Sequence, residues 1–183
     1  MIKKLLCAFK KSSEELKYPS GELLLSVIQK EYDYELTRKT TLESRAGIVL
    51  TLSISILTFI VTNINIDKLF LLDTSKVDAV VLITLFLIIT LIAICSIVTS
   101  IFFLIRVLLT YEYRRLELKD FNKEYGVYEK DIIAMALTEE YRNVVSANQK
   151  VNNDKTNFYK IGVYSAISLV ISAILMYILS LNM

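Results

Sequence analysis

The sequence has no histidine, no tryptophan and only two cysteines in 183 residues. Without histidine, it lacks the commonest general base and the commonest transition-metal ligand, and it contains no glycine-rich phosphate-binding loop. Cys7 lies near the N-terminus and Cys95 lies in the middle of an apolar run, so we do not expect them to pair or to bind a metal. The sequence therefore predicts no catalytic residues, no metal site and no cofactor, and we do not expect an enzyme.

Proline and glycine are also scarce, with one proline and four glycines, which favours long uninterrupted helices. Three stretches lack any charged residue: 21 residues at 46–66, 27 at 79–105 and 23 at 161–183. A membrane-spanning helix needs about 20 apolar residues, and a helix satisfies its own backbone hydrogen bonds in lipid. We predict an all-α membrane protein, in which a long N-terminal helix continues into a transmembrane hairpin, followed by cytoplasmic helices and a third, C-terminal span.

The distribution of lysine and arginine predicts the topology. Residues 1–45 contain nine of them, the 67–78 loop two, residues 106–160 ten, and the remaining C-terminal residues none. Because positively charged segments stay in the cytoplasm, we expect the N-terminus inside and the C-terminus outside. The predicted regions are a cytoplasmic N-terminal helical region (1–45), the transmembrane hairpin (46–109), a cytoplasmic helical segment (110–160) and the third span (161–183).

Outside the membrane, the sequence predicts three further helical features. After Pro19, one helix is expected to run from Glu22 through the first span, with one apolar face formed by Leu25, Ile28, Tyr32 and Leu36 that packs against another helix. The 110–160 segment is expected to form two helices separated near Gly126. The first would continue the second span, and the second would begin near Lys130 and weaken at residues 152–154, which read Asn-Asn-Asp.

Five polar residues of the first span follow a four-three-four-three spacing: Thr51, Ser55, Thr58, Thr62 and Asn65. This period keeps one line of side chains facing a common axis in a left-handed bundle. The line, which we call the polar stripe, has two interpretations. Small hydroxylated residues let transmembrane helices pack closely, and several copies of such a stripe can also line a water-filled pore. The five residues are therefore candidate pore-lining residues.

Basic residues near the predicted inner membrane surface are a second set of candidates. Arg106 could form a ring of charge at the inner mouth of a pore, or its side chain could extend to the lipid headgroups. Tyr111, Arg114, Arg115 and Lys119 could bind an anionic ligand, with the positive charges on roughly one side of a helix and a tyrosine to stack on a base. The alternative for this group is a basic collar that contacts anionic lipid.

The arrangement of these segments resembles a known family. A helix rich in tyrosine, glutamate and arginine (residues 31–45, EYDYELTRKTTLESR) leads into a two-span hairpin, and a charged helical segment follows. Over residues 22–142 this is similar to the SLATT family, bacterial transmembrane effectors of nucleotide-signalled anti-phage defence, including CBASS-like and Hailong-type systems. The third predicted span departs from the two-span pattern of that family.

The resemblance implies a function and a set of partners. It implies a homo-oligomer, for which a tetramer is one option, that forms a pore in the bacterial inner membrane and depolarises or permeabilises an infected cell. It also implies control by a nucleotide or oligonucleotide that a partner nucleotidyltransferase makes. The alternative is a non-conducting membrane scaffold that docks a soluble partner through residues 110–160.

Overall fold

In the computed structural model, residues 18–64, 77–109, 113–116 and 126–181 are described. Within these ranges the chain forms three long helices: α1 (Gly21–Asn63), α2 (Val77–Leu108) and α3 (Lys130–Leu181). No β-strand occurs in the described ranges, so the predicted all-α class is confirmed. Each helix includes a stretch long and apolar enough to cross a membrane, as a multi-pass membrane protein requires.

Helix α1 begins where the sequence predicts a break. Pro19 and Ser20 form a turn in which the Gly21 amide donates to the Tyr18 carbonyl at 2.9 Å, and the Leu24 amide then donates to the Ser20 carbonyl at 3.0 Å. Glu22 lies in the first turn, where a negative charge interacts favourably with the positive end of the helix dipole. From there α1 continues without a break to Asn63. The prediction of one helix that runs from the charged segment after Pro19 into the apolar run that begins at residue 46 is therefore confirmed.

Two predictions about the segment 110–160 are wrong. Helix α2 ends at Leu108 and residues 113–116 are not helical, so the second span does not continue as a helix through them. Helix α3 begins at Lys130, as expected, but residues 152–154 do not weaken it, and it runs unbroken to Leu181. Asparagine has a low intrinsic helix propensity, and here buried side-chain contacts of Asn152 outweigh it.

The chain divides into two compact units. The first, which we call the polar unit, comprises Met1–Thr41 and Thr110–Asp154, and the second, the apolar unit, comprises Leu42–Leu109 and Lys155–Met183. In the polar unit, the rings of Tyr32 on α1 and Tyr141 on α3 meet edge to face, 5.7 Å between centroids. The predicted apolar face of α1 is therefore packed at Tyr32, whereas Leu36 lies at its edge and remains exposed.

The apolar unit has two hydrophobic clusters. One is built mainly by α2 and α3 and includes Phe86, Ile97 and Leu169, and the other joins Leu42 and Ala46 of α1 to Leu104 and Val107 of α2. Close approach of the backbones is possible because small residues lie where the helices cross. A Cβ added to Gly162 of α3 would lie 2.7 Å from Leu104 Cγ, and Leu104 is itself fully buried.

Replacement of Gly162 tests this close approach. We expect Gly162→Ala to lower the free energy of unfolding by about 1–2 kcal/mol, because overpacking a tight contact outweighs the gain in helix propensity. Gly47→Ala is the matched control, since a Cβ at Gly47 meets nothing within 4 Å, and it should stabilise α1 by up to about 1 kcal/mol. Unfolding by SDS, followed by tyrosine fluorescence, measures both. Equal effects of the two variants would contradict the close contact at Gly162.

Candidate functional site

The polar stripe lies on an outer face of α1. Thr51, Ser55, Thr58 and Thr62 are all exposed, and Asn65 lies outside the described residues. Each of the four hydroxyls donates to a carbonyl one turn earlier in α1: Thr51 to Gly47 at 3.0 Å, Ser55 to Thr51 at 3.0 Å, Thr58 to Ile54 at 3.1 Å and Thr62 to Thr58 at 2.9 Å. These hydroxyl protons are thus used within the helix, and the oxygens retain lone pairs that can accept hydrogen bonds.

Packing within the apolar unit uses a different set of hydroxyls. Ser53, which is not part of the stripe, is fully buried, and its Oγ lies 3.4 Å from Ser100 Oγ on α2. Ser100 Oγ also donates to the Gly162 carbonyl of α3 at 3.1 Å, and Ser96 Oγ donates to Ser168 Oγ at 3.0 Å. We call these residues the serine seam: Ser53, Ser96, Ser100, Gly162 and Ser168. The close-packing role of small polar residues therefore belongs to the seam within one chain, and the stripe is left outside it.

The polar stripe borders an apolar groove between α1 and α3. Ser55 lies at the edge of an apolar groove of about 320 Å³, whose other walls are Ile56 and Phe59 of α1 and four residues of α3 (Val170, Ala173, Ile174 and Tyr177). Ser55 is the one hydroxylated residue of the stripe in this lining. The groove is therefore an apolar surface beside the stripe and does not extend its polar character.

Arg106 lies near the C-terminal end of α2 and contacts aromatic rings. Its guanidinium carbon is 5.0 Å from the Phe102 ring centroid and 5.5 Å from that of Phe158 on α3. Such cation–π contacts hold the charge over apolar surface while the side chain remains exposed. This arrangement is compatible with both interpretations of Arg106, the inner-mouth charge and the extension to headgroups.

The candidate ligand residues are only partly within the described chain. Arg114 and Arg115 are exposed, whereas Tyr111 and Lys119 lie outside the described residues. The expectation that the arginines share one side of a helix is wrong, because residues 113–116 are not helical. Asn148 of α3 holds this segment instead: its Oδ1 accepts from the Arg114 amide at 3.0 Å, and its Nδ2 donates to the Arg114 carbonyl at 3.1 Å. The fully buried Asn148 amide thus pairs with the backbone of Arg114 as a neighbouring strand would.

Tyr113 lies beside this pairing, between the two long helices of the polar unit. Lys39 Nζ of α1 is 4.9 Å from the centroid of its ring, and Asn152 Nδ2 of α3 is 3.5 Å from its hydroxyl. Burial raises the pKa of the Tyr113 phenol above its ordinary value of 10.0, because removal from water disfavours the phenolate. Tyr113 is therefore a neutral hydrogen-bonding group at physiological pH.

Glu35 and Asn152 form the buried centre of the polar unit. Glu35 is 2% exposed, and its Oε2 and backbone carbonyl accept hydrogen bonds from Asn152 Nδ2 at 2.6 Å and 2.8 Å. Arg38 Nη1 is 3.6 Å from Glu35 Oε1, while Nη2 donates to Asn153 Oδ1 at 2.9 Å. A buried carboxylate needs such partners because desolvation of an unpaired charge is costly. This network was not predicted from the sequence, although Asn148 and Asn152 are four residues apart, a spacing that places both on one helix face.

A second buried charge lies in the apolar unit. The Lys155 side chain of α3 is fully buried, and its ammonium donates to Glu43 Oε1 of α1 at 2.5 Å. Glu43 remains partly exposed, so the pair reaches water on the side of the carboxylate. The burial of Lys155 was not predicted, because a lysine close to an apolar run is most simply interpreted as a membrane-surface charge.

Comparisons with known proteins found no match: no family model, no curated protein and no solved structure is similar to this chain.

The asparagine pair at positions 152 and 153 offers a matched test of the buried network. We expect Asn152→Ala to lower the free energy of unfolding by about 2–3 kcal/mol, because it leaves the buried Glu35 carboxylate without a close donor. Asn153→Ala removes an exposed contact with Arg38 and should cost less than about 1 kcal/mol. Chemical unfolding, measured in one detergent, checks the difference, and equal losses would contradict the central role of Asn152.

Proposed function

We propose that copies of this chain form a homo-oligomeric ion channel in the bacterial inner membrane, with the N-terminus in the cytoplasm. In this channel, α1 lines the path through Thr51, Ser55, Thr58 and Thr62, and Asn65, which lies beyond α1 in the sequence, is the fifth proposed lining residue. In keeping with the SLATT resemblance, its physiological role is to depolarise or permeabilise an infected cell, and a nucleotide or oligonucleotide from a partner nucleotidyltransferase controls it.

One observation carries the proposal. Among the described residues of the apolar unit, the hydroxyls that join helices are those of the serine seam and of Thr90, which contacts Met176. The four described stripe residues are exposed and keep a four-three-four spacing. A regular polar line that is not used for packing within one chain is available to a path shared by several chains. Several copies arranged around an axis would place it on a common lumen.

The hydrogen bonds of the stripe hydroxyls influence which ions the proposed pore would conduct. Since the hydroxyl protons of Thr51, Ser55 and Thr58 are donated to backbone carbonyls, their oxygens would present lone pairs to the lumen. Lone pairs favour cations and water donors over anions, but neutral oxygens give weak selectivity. We therefore propose a water-filled path with a slight preference for cations.

The regulatory part of the proposal rests on the polar unit. Arg114 and Arg115 are consecutive exposed cations on a non-helical segment that Asn148 fixes through its backbone. A fixed backbone with exposed guanidinium groups is suited to bind phosphate groups, which arginine contacts through two parallel hydrogen bonds. Anionic lipid offers the same chemistry at a membrane surface.

Ion flux through the full-length protein in liposomes tests the channel. We expect Thr58→Leu to reduce the wild-type flux roughly tenfold or more, because an apolar ring in a narrow pore expels water. Thr84→Leu is the matched control: Thr84 is an exposed threonine of α2 whose hydroxyl donates to the Val80 carbonyl at 2.8 Å. It should leave the flux unchanged. Equal, measurable flux in all three proteins would contradict a pore along the stripe, whereas absence of flux from all three would favour the non-conducting scaffold.

Cysteine accessibility tests whether the stripe is hydrated, even when the channel conducts little. In a background in which Cys7 and Cys95 are replaced by alanine, we expect Thr58→Cys to react with a charged, membrane-impermeant thiol reagent within roughly tenfold of the rate of Gln29→Cys, an exposed position of the polar unit. Thr84→Cys should react roughly a hundredfold more slowly, because charged reagents do not enter hydrocarbon. Equally slow reaction at 58 and 84 would show that the stripe is not hydrated.

A further inference from the structure

In the polar unit, an exposed face of α1 carries apolar residues and differs from the face packed within the chain. Leu23, Val27 and Tyr34 are 66%, 51% and 62% exposed, although the contacts of α1 with α3 lie nearby at Tyr32 and Glu35. The face consists of six exposed positions with a four-three spacing: Leu23, Val27, Lys30, Tyr34, Thr37 and Thr41. We call it the outer face.

The composition of the outer face is unusual for the most exposed side of a helix in water. Lys30 is its one charged member among six, while charged residues lie immediately beside it at Glu31, Asp33 and Arg38. Exposed helix faces outside the membrane are ordinarily charged or polar. A stripe at heptad spacing with apolar residues inside and charges along its edges is the pattern of a helix that packs against another helix.

The register favours a second copy of this chain as the partner. In the sequence, the four-three spacing of the outer face continues through Ser44 and Ile48 to the first residue of the polar stripe. With Val27 and Tyr34 at heptad position a, Asp33 occupies position g and Arg38 position e. In a parallel pair, a residue at g approaches the residue five positions later at e of the neighbouring helix. Asp33 of one copy would therefore approach Arg38 of the next, whose guanidinium also contacts Glu35 and Asn153 of its own chain.

Membrane insertion favours the parallel orientation. Copies with the same topology enter the bilayer in the same direction, so that identical positions of α1 lie at the same depth. Confinement to one membrane also raises their effective concentration, so a modest surface suffices for association. A parallel pair brings Val27 of one copy next to Val27 of its neighbour.

We propose that copies of this chain associate side by side through the outer face of α1, with Leu23, Val27 and Tyr34 of each copy packed against the same residues of a parallel neighbour. The inference deepens the proposed channel and rests on its homo-oligomeric form. It names the extramembrane surface that joins the copies, which the polar stripe does not supply.

Disulfide crosslinking of the full-length protein in liposomes at high lipid-to-protein ratio tests the surface. In the background without Cys7 and Cys95, we expect Val27→Cys to form covalent dimers. Leu36→Cys is the matched control, because Leu36 is an apolar residue of the same unit and is 38% exposed. It occupies heptad position c and therefore lies away from the outer face. We expect little dimer from it. Absence of dimers at Val27, or equal dimers at both positions, would overturn the proposal.

A charge on the outer face provides a second measurement. We expect Val27→Glu to weaken assembly in detergent roughly tenfold or more, as measured by light scattering across a dilution series, and Leu36→Glu to leave it unchanged. Both positions are exposed, so folding should be preserved, and circular dichroism checks this. If Val27→Glu assembles like the wild type, the proposal is wrong.

Three further outcomes separate this inference from its alternatives. If Val27→Cys in a background that retains Cys7 forms a disulfide within one chain instead of between chains, the N-terminal segment occupies the outer face and the proposal is overturned. If the dimers form but no flux is measured and Thr58→Cys is unreactive, the outer face still joins the copies and the channel is wrong. If flux depends on Thr58 but Val27 gives no dimer, the channel holds and this surface is wrong.

Discussion

The apolar unit depends on close approach of its helices. In a bilayer the hydrophobic effect does not drive helices together, because lipid tails are as apolar as the side chains, so close packing has to hold them. Gly162 provides that approach against Leu104, and the Ser100 hydroxyl donates to the Gly162 carbonyl at the same crossing. Ser53 completes the contact from α1. Because Ser53 is turned inward at this crossing, the orientation of every neighbouring residue of α1 is set, and the polar stripe lies on the outer side.

The close packing of the helices distinguishes packing hydroxyls from stripe hydroxyls, although both make the same hydrogen bond within α1. Ser53 donates to the Val49 carbonyl at 2.9 Å, just as Ser55 donates to that of Thr51. Local hydrogen bonding therefore does not separate packing residues from candidate pore residues. The separation comes from tertiary structure, because Ser53 also meets Ser100 whereas Ser55 borders an apolar groove.

Sequence periodicity was sufficient for the three helices, for the start of α1 after Pro19 and for the start of α3 at Lys130. It failed where a partner distant in sequence decides the local structure. Asn152 keeps α3 continuous while bonded to Glu35, 117 residues away, and Asn148 holds the Arg114 backbone from 34 residues away. No local pattern contains such partners, so residues 113–116 were expected to be helical and residues 152–154 weak. The same limit applies to the stripe, because spacing identifies a face and not what it contacts.

Helix α1 has two lines of residues with the same spacing in the apolar unit. The inner line packs within the chain and comprises Leu42, Ala46, Val49, Ser53, Ile56 and Ile60. The outer line is the stripe. The two are offset by two residues, which at a 3.5-residue period places them on opposite sides of the helix. A helix at the edge of a monomer needs only its inner line, and lipid imposes no period on residues that face it. The regular outer line is what the proposed assembly of several chains would require of α1.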